Sequence, residues 1–463
     1  MARLLIAAPH KSSGKTTLTL ALCAALAERG VRVQPFKKGP DYIDPMWLAA
    51  AAGRPCYNLD FNVQSHTEIR RLFNHHAGRA DISLIEGNMG LFDSLDIAGE
   101  QANAALARVL QTPILLVVDA AGATRSLVPL IRGFLDFEPD LPIVGLLLNR
   151  VAGRRHEQRL REVIGHYIDR PIVGAIHRDE SLQIEERHLG LIPSNEAVAA
   201  QQLLRQIRDR IAPQIDFERL CQLAATAPPL PFTSDPMLPP HPAPDVRIGI
   251  ASDAAFGFYY PGDLDALQVA GARLIPFSPI SDSELPKVDA LFIGGGFPET
   301  QMVALEANRP LRQQLRVAIE AGMPVYAECG GLMYLSRCIH WQGRTCEMVG
   351  AIAGDTVLQP QPVGRGLARV RLNPDALWRR GRATLSAHEF HYSRLINLDP
   401  DLRYAYQVER GVGIDGTQDG IIYHNLLASY LHLRDVAADP WASQFVAFVR
   451  ARRGRWSLPA SID

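Results

Sequence analysis

Short runs of apolar residues alternate with segments of helical periodicity along the first half of the chain. The apolar runs predict buried strands, and residues 16–29 predict a helix that follows the first of them. The candidate strands are residues 3–8, 31–36, 82–85, 113–119 and 143–149. Because strands and helices alternate in this order, the first half is expected to form a parallel sheet with crossover helices.

A second series of the same kind begins at Arg247. Its candidate strands are residues 247–251, 272–276, 290–294 and 324–327. From about Gly364 the sequence is richer in Gly, His and Tyr, and its strand-like runs are shorter, at residues 367–372, 383–390 and 420–423. These later runs predict antiparallel strands added to a second α/β domain.

A proline-rich segment separates the two series. Residues 225–246, ATAPPLPFTSDPMLPPHPAPDV, contain proline too often for the interior of a helix or sheet. We interpret this segment as an extended linker between a domain of residues 1–224 and a domain of residues 247–463. The total of 463 residues agrees with two or three domains of about 100–200 residues each.

Composition and charge narrow the class of protein. Hydrophobic residues make up 47% of the chain and charged residues 21%, as in ordinary folded enzymes. The formal net charge is −1 and no basic run occurs, so no nucleic-acid partner is expected. No apolar segment approaches the roughly 20 residues that span a bilayer, and the N-terminus does not resemble a signal peptide. We therefore expect a cytoplasmic protein without a membrane partner.

The six cysteines are scattered, without a CxxC pair or a spacing typical of zinc sites. Neither a disulfide scaffold nor a metal cluster is expected from this spacing. One of the thiols remains a candidate nucleophile.

Residues 8–17, APHKSSGKTT, lie between the first predicted strand and the first predicted helix, which is the position of a phosphate-binding P-loop. Candidate nucleotide contacts are Ser13, Gly14, Lys15, Thr16 and Thr17. Lys15 would supply charge to the β- and γ-phosphates, and the Thr16 hydroxyl would ligate Mg²⁺. Pro9 replaces the usual first glycine, and the alternative is a Ser/Gly-rich turn that caps the helix.

Acidic residues follow the second and third predicted strands. Asp41 and Asp44 lie in KKGPDYIDP, and Glu86 and Asp93 lie in EGNMGLFD. Because ligands bind at the carboxyl ends of parallel strands, these residues are candidates for metal binding and general-base catalysis. For each alone the alternative is a turn-forming or helix-capping role. Asn149, at the end of LLLNRV, is a candidate for reading an adenine edge or for capping a turn.

In the second half, the run PVYAECGGLMY predicts a strand, a sharp turn and a helix, with Cys329 at the turn. Such a turn exposes the side chain, and the start of the following helix favours a thiolate. The N–H of Gly330 is a candidate oxyanion donor, and Gly295 or Gly296 in GGGFPE is a candidate for the second. The alternative, an inert core cysteine, is disfavoured by the surrounding glycines.

A catalytic thiolate needs a base, and His432 in ASYLHL is the candidate. It lies about a hundred residues after Cys329, a separation common in cysteine amidohydrolases. His388, His391 and His424 are rivals that we interpret as structural or substrate-facing.

The runs QPFKKGPDYIDP, GRPCYNLD, EGNMGLFD and ERHLGLIPS resemble the cobyrinic acid a,c-diamide synthase family, which is similar in its ATPase half to dethiobiotin synthetase. The resemblance covers essentially the whole chain. It implies that a substrate carboxylate attacks the γ-phosphate of ATP and that ammonia displaces the resulting acyl phosphate. By motif match it implies Lys15 and Thr16 for ATP and Mg²⁺, Asp41 and Asp44 for substrate and metal, Glu86 for metal, and Asp93 with Tyr42 for the substrate, Tyr42 also being a candidate cofactor contact.

The second half resembles the triad-type glutamine amidotransferase domain that is fused to cobyric and cobyrinic acid amidases, through GGGFPE, AECGGLMYL, HEFHYS and SYLHL. The resemblance implies Cys329 as nucleophile and His432 as its base, with a third acidic member that is often absent. Many relatives continue SYLHLH, whereas Arg434 stands here in place of the last histidine. The implied fold is a P-loop NTPase domain with a parallel sheet, followed by a class I glutamine amidotransferase-like α/β domain.

The two halves together predict an amidoligase that uses ATP, Mg²⁺ and glutamine. The resemblance implies a tetrapyrrole such as cobyrinate as substrate, with sirohaem or nickel-sirohydrochlorin as the alternative, because KKGPDYIDPMW and GRPCYNLDF look somewhat more like a sirohaem-directed branch. A homodimer is compatible with the sequence, which does not determine the oligomeric state.

Two other classes of protein remain to be distinguished. A partitioning-type P-loop ATPase usually carries a signature lysine where His10 stands and has no glutaminase half. A glutaminase-like binding module would have lost Cys329 or His432, and both are present.

Overall fold

The computed structural model describes residues 1–182, 186–187, 190–195, 200–230, 243–380 and 384–456. The chain divides into two compact units, Met1–Met237 and Leu238–Asp463. Three of the sequence predictions fall partly outside the described residues. These are the linker at 231–242, the first residue of the strand predicted at 383–390, and residues 188–189 of ERHLGLIPS.

The first unit is built on a seven-stranded parallel sheet in the order β3-β2-β4-β1-β5-β6-β7. Its strands are β1 (Ala2–Ala7), β2 (Val33–Lys38), β3 (Tyr57–Leu59), β4 (Ile82–Glu86), β5 (Ile114–Asp119), β6 (Ile143–Val151) and β7 (Ile172–His177). The five predicted strands and their parallel pairing are confirmed, and β3 and β7 are additional. The central strands are buried on both faces, which explains why they read as continuous apolar runs.

Helices connect these strands. They are α1 (Lys15–Glu28), α2 (Ile43–Ala52), α3 (His66–Ala77), α4 (Asn103–Val109), α5 (Leu127–Asp136), α6 (Arg154–Tyr167), α7 (Ala200–Ile211) and α8 (Phe217–Ala225). Short strands β8 (Glu186–Arg187) and β9 (Gly190–Leu191) pair with each other. The order of the sheet makes β2, β4 and β1 neighbours, so the loops after these three strands meet at one edge.

The second unit contains a nine-stranded mixed sheet in the order β11-β10-β12-β13-β22-β21-β20-β17-β18. The parallel part consists of β10 (Val246–Ala251), β11 (Ala272–Phe277), β12 (Ala290–Ile293), β13 (Val325–Glu328) and β22 (Leu426–Ser429). The antiparallel part adds β17 (Gly364–Leu372), β18 (Thr384–His391), β20 (Arg403–Arg410) and β21 (Gln418–Tyr423). The predicted antiparallel extension is therefore confirmed.

A four-stranded sheet in the order β15-β14-β16-β19 completes the second unit. Its strands are β14 (Cys338–Trp341), β15 (Arg344–Glu347), β16 (Asp355–Leu358) and β19 (Ser393–Ile396), and the helices of the unit are α9 (Pro261–Val269), α10 (Met302–Ala307), α11 (Arg309–Glu320), α12 (Gly330–Leu335) and α13 (Trp441–Arg452). Within the described ranges, no helix is both long and apolar enough to cross a membrane.

Candidate active sites

The loop between β1 and α1 has the backbone geometry of a phosphate-binding turn. Gly14, immediately before the helix, has a φ of 85°, and a β-carbon there would lie 2.2 Å from the Asn149 amide nitrogen. Asn149 donates from this nitrogen to the Ser13 carbonyl at 2.9 Å. Asn149 thus braces the P-loop from the end of β6, while a contact with adenine stays a prediction.

Lys15 points into the same loop. Its ammonium donates to the carbonyls of His10 at 3.3 Å and Met89 at 2.6 Å. The Ser13 hydroxyl donates to the His10 carbonyl at 2.9 Å, and Thr17 follows in the first turn of α1. Burial lowers the pKa of Lys15. The amine therefore lies where phosphate oxygens would replace carbonyl groups as its partners.

Thr16, Asp44 and Glu86, predicted as metal ligands, are brought together by the loops after β1, β2 and β4. The Thr16 hydroxyl donates to Glu86 Oε1 at 2.7 Å and lies 3.5 Å from Asp44 Oδ2. Lys37 lies between the acids, with its Nζ 2.5 Å from Asp44, 2.8 Å from Glu86 and 3.7 Å from Asp41. The sequence reasoning did not assign Lys37 to the site.

The pKa values of Asp41, Asp44 and Glu86 are shifted in different directions. Burial raises the pKa of Glu86, and burial followed by repulsion from Asp44 raises the pKa of Asp41 to about 7. Burial opposes the ionisation of Asp44, but Lys37 outweighs it and lowers the Asp44 pKa. Glu86 Oε2 is buried and has no hydrogen-bond partner among the described residues. A buried, unsatisfied carboxylate oxygen beside a hydroxyl and a second carboxylate is a donor set suited to Mg²⁺.

The other predicted residues of this unit lie around the same edge. Asp41 caps α2, accepting at Oδ1 from the N–H groups of Ile43 at 2.9 Å and Asp44 at 3.2 Å, and Tyr42 is buried at the start of this helix. Asp93 accepts from the Gly90 N–H at 2.7 Å. Both aspartates therefore make the contacts expected of a turn-forming or helix-capping residue. Their catalytic roles stay predictions.

Asn103 organises the loop after β4. Its amide nitrogen donates to the carbonyls of Asn88 at 2.5 Å and Gly90 at 2.7 Å, and its oxygen accepts from the Asn88 N–H at 3.2 Å. Lys38 donates to Asn88 Oδ1 at 3.1 Å. These contacts fix the loop against the P-loop, where the Leu91 N–H donates to the Ala8 carbonyl at 2.8 Å.

Cys329 occupies a strained turn in the second unit. It follows β13 and precedes α12, with φ 48° and ψ −102°. Its N–H donates to the Ser429 carbonyl of β22 at 2.7 Å, which anchors the turn to the sheet. Positive φ is uncommon in residues other than glycine, and such strained conformations cluster at functional sites. The predicted strand, turn and helix are confirmed.

The three candidate oxyanion glycines lie close to Cys329 and His432. A β-carbon on Gly295 would lie 2.8 Å from His432 Cε1, and one on Gly330 would lie 2.9 Å from the Gly296 backbone nitrogen. Gly330 is the first residue of α12, so its N–H has no acceptor within the helix. Gly295 thus lies beside His432, and Gly296 lies beside the residue that follows Cys329, while the role of the three glycines as an oxyanion hole stays a prediction.

His432 interacts with the side chains of Cys329 and Glu328, and its Nδ1 lies 3.4 Å from Glu328 Oε2. The Cys329 Sγ itself lies 3.9 Å from the Phe390 carbonyl oxygen. Burial alone would lower the pKa of His432, but Cys329 and Glu328 raise it to about 10. Among the rival histidines, His388 stacks on His432 with ring centroids 4.9 Å apart, and burial lowers its pKa well below the usual value.

The two remaining rivals have structural contacts. His391 stacks on Tyr430 at 3.9 Å and its Nδ1 lies 2.9 Å from the Ser393 carbonyl. His424 lies in the turn between β21 and β22 with φ 50°. His432 combines an interaction with Cys329 and a contact with Glu328, and its role as the base stays a prediction.

Comparison with known proteins agrees with this division into two units. The profile of the CobQ/CobB/MinD/ParA nucleotide binding domain matches residues 4–192, and that of the CobB/CobQ-like glutamine amidotransferase domain matches residues 247–437. The cobyrinate a,c-diamide synthase of Magnetococcus marinus is 46% identical over 462 residues, covering 99% of each chain. The chain belongs to the cobyrinate a,c-diamide synthase family. Enzymes of the same name from Methanosarcina barkeri and Dehalococcoides mccartyi are 39% and 38% identical, covering 99% and 96% of this chain and 98% and 97% of their own.

Membership of this family makes the chain a glutamine-dependent ligase with a nucleotide-binding half. The glutamine amidotransferase domain matched at residues 247–437 is the part of this chain that a partitioning-type ATPase was not expected to have. The resemblance deduced from KKGPDYIDP and AECGGLMYL is thereby confirmed at the level of the family.

Glu328 is, with Lys37, a buried charged residue beside the candidate sites that the sequence reasoning did not assign. It is the last residue of β13, 3% exposed, and its Oε1 accepts from the Tyr326 hydroxyl at 2.6 Å and the Leu433 N–H at 3.1 Å. A glutamate inside the apolar run before Cys329 was the signal present in the sequence, because a buried carboxylate needs a partner.

A further polar cluster in the described residues lies on β14 and β16, where Cys338, His340 and Asp355 are close enough to bind one ion. However, Asp355 already accepts from Arg337 Nε at 2.7 Å and from Asn397 Nδ2 at 2.8 Å. Both oxygens of the Asp355 carboxylate therefore already have donors, unlike Glu86 Oε2 in the first unit. We assign no metal to this cluster.

Proposed function

We propose that this chain converts the a and c acetate carboxylates of cobyrinate, or of a closely related tetrapyrrole, into amides with ATP and glutamine. The observation that carries the proposal is the pairing of a thiol–imidazole site in one unit with a P-loop and an acidic cluster in the other. The named activity of relatives that cover nearly the whole chain supports the substrate.

In the first unit, the backbone of residues 13–17 would hold the phosphates and Lys15 would offset their charge. Thr16, Asp44 and Glu86 would hold Mg²⁺, which supplies charge stabilisation for a transferring phosphoryl group when bound. A substrate carboxylate oxygen attacks the γ-phosphorus, the bond to the β–γ bridging oxygen breaks, and ADP leaves. Asp41, Tyr42 and Asp93 line the approach that we assign to the substrate.

Lys37, which lies among the acidic residues, also supplies positive charge to the proposed phosphoryl-transfer site. Its ammonium is held by three carboxylates, which raise its pKa well above the usual value although burial opposes this. It therefore stays charged in the site. A fixed cation at this edge of the sheet offsets negative charge on the transferred group without reorganisation.

In the second unit, Cys329 Sγ attacks the amide carbon of glutamine, and the N–H groups of Gly330 and of Gly295 or Gly296 stabilise the oxyanion. His432 gives its proton to the departing nitrogen, which leaves as ammonia. Water, deprotonated by His432, then hydrolyses the thioester to glutamate and restores the thiol.

The two reactions are complementary. Hydroxide is a poor leaving group from a carboxylate, whereas phosphate leaves readily when ammonia attacks the acyl phosphate carbon. Acyl phosphates hydrolyse in water, so ammonia made by a fused glutaminase and shielded from solvent favours amide over acid. We propose residues 1–224 and 247–463 as the two domains, joined by residues 225–246, in agreement with helix α8 ending at Ala225 and strand β10 beginning at Val246.

Purified protein with ATP, Mg²⁺ and glutamine, incubated in parallel with cobyrinate and with sirohaem, tests the substrate. With cobyrinate we expect the mass change of two acid-to-amide conversions and the release of one ADP per amide formed. With ¹⁸O in the substrate carboxylate, label should appear in the released phosphate. Amidation of sirohaem alone would move the assignment to the alternative suggested by KKGPDYIDPMW, and no mass change with either pigment would exclude the tetrapyrrole substrate.

A further inference from the structure

Glu328 is held rigidly next to the glutaminase base. The Tyr326 hydroxyl and the Leu433 N–H both donate to its Oε1, which leaves Oε2 directed at His432 Nδ1, 3.4 Å away. The Glu328 side chain is 3% exposed, and Tyr326 is fully buried beneath it. This carboxylate is therefore fixed by two donors that have no part in the chemistry.

Glu328 supplies a carboxylate among the side chains around His432. Cys329 and Glu328 interact with His432, and the His388 ring stacks on it. Tyr260 and Arg434 lie on the side of His388, where the Tyr260 hydroxyl is 3.4 Å from the ring nitrogens of His388. The residue two positions after His432 is Arg434, whose guanidinium lies over the Tyr260 ring at 4.4 Å. Glu328 is the carboxylate in this set, and it precedes the nucleophile instead of following the base.

We propose that Glu328 is the positioning carboxylate of the glutaminase and completes a Cys329–His432–Glu328 triad. It keeps the proton on Nδ1, directs Nε2 towards the thiol, and stabilises the imidazolium that forms when His432 accepts the thiol proton. Triads are recognised by geometry and role and not by the order of residues in the chain. This inference rests on the proposed glutaminase function.

The contact has a measurable electrostatic consequence. Cys329 and Glu328 raise the pKa of His432 to about 10 against the effect of burial. A raised pKa means that the ion pair stabilises the fold below the ordinary histidine pKa and that this contribution is lost as the pH rises through about 10. Removal of the negative charge lowers the His432 pKa, so the imidazolium is lost at a lower pH.

The test is Glu328→Gln in the full-length enzyme. Glutamine keeps an oxygen for Tyr326 and Leu433 but presents an amide N–H to Nδ1, which favours the wrong tautomer. We expect glutamine hydrolysis to fall by about 10²–10⁴-fold in kcat, with the basic limb of the kcat/KM profile displaced to lower pH. Glu328→Asp, which keeps the charge, should return the basic limb towards that of the wild type.

Tyr326→Phe is the graded control, because it removes one of the two donors to Glu328 and should cause a smaller loss in the same direction. Ammonium-fed amidation by each variant reports on the synthetase half. A Gln variant with the wild-type rate and profile, or a Gln variant with a lower rate whose basic limb stays at the wild-type pH, would overturn the inference. A wild-type protein that does not hydrolyse glutamine would instead overturn the proposed function.

Discussion

At the residue scale, Cys329, the nucleophile that we propose, lies in strained backbone. Its φ of 48° is one that a side chain with a β-carbon disfavours, at a cost of about 1–3 kcal/mol. The N–H to Ser429 at 2.7 Å and the start of α12 hold the residue there. The strain presents the thiol to His432 and to the glycines beside it.

Substitution of Cys329 by glycine and by alanine isolates this strain. Glycine tolerates positive φ, so Cys329→Gly is expected to be more stable than Cys329→Ala by about 1 kcal/mol. At Cys221, within helix α8, the order should be reversed, with Ala more stable by about 1 kcal/mol. Urea unfolding of the four variants measures both differences. If alanine were the more stable residue at position 329 as well, the turn would be unstrained.

Lys37 is the second residue with an unusual environment. Its side chain is buried and its charge lies within 4 Å of Asp41, Asp44 and Glu86. Removing one partner of a buried ion pair is more costly than the pair itself is favourable, because a charge is left uncompensated.

We therefore expect Lys37→Met to lower the free energy of unfolding by about 3–5 kcal/mol. Lys38→Met is the matched control, because Lys38 donates to the neutral Asn88 amide and should cost less. Added Mg²⁺ should restore stability to the Lys37 variant more than to the control. Chemical denaturation with and without Mg²⁺ measures this, and equal losses for the two lysines would contradict the arrangement.

The sequence predicted most of the reactive side chains, because each lies in a local motif. Lys15, Thr16 and Cys329 follow strands at turns whose spacing is diagnostic, and His432 interacts with Cys329, while the roles of all four stay predictions. Glu328 and Lys37 were missed because their roles arise from tertiary contacts, with His432 and with Glu86, that no local spacing encodes.

At the element scale, both sites depend on turns at the carboxyl ends of parallel strands. The apolar runs predicted five strands of the first sheet to within two residues at each end, since these strands are buried on both faces. Strand β3 is only three residues long and the four-stranded sheet of the second unit has short, partly exposed strands, so neither gave a clear pattern.

The turn before α1 offers a test at this scale. Gly14 has φ 85° and its missing β-carbon makes room for Asn149, whereas Gly30, after the same helix, has φ 79° and open space around it. Gly14→Ala and Gly30→Ala should each lose about 1 kcal/mol of stability from the left-handed backbone. Only Gly14→Ala should weaken ATP binding, by about tenfold or more for a displaced loop contact. Isothermal titration with ATP and Mg²⁺ measures this, and equal ATP affinities would refute the bracing role of Asn149.

At the scale of the whole molecule, two α/β units carry halves of one reaction. Each unit has its own core and its own reactive edge, and the relatives that cover nearly the whole chain contain both. The linker was predicted from proline content and the substrate from resemblance. The described start of the linker contacts the first unit, where Leu230 joins the core and the Pro228 carbonyl accepts from Arg3 at 2.6 Å. We propose that the two units share one reaction, the transfer of nitrogen from glutamine to a phosphorylated acid.

The most direct test of that claim is the rate of amide formation by Cys329→Ser with each nitrogen source. With ATP and Mg²⁺ present, the variant should form no detectable amide from glutamine, while ammonium salts at raised pH should support a rate close to that of the wild-type enzyme. A variant that keeps the full rate with glutamine would contradict the account.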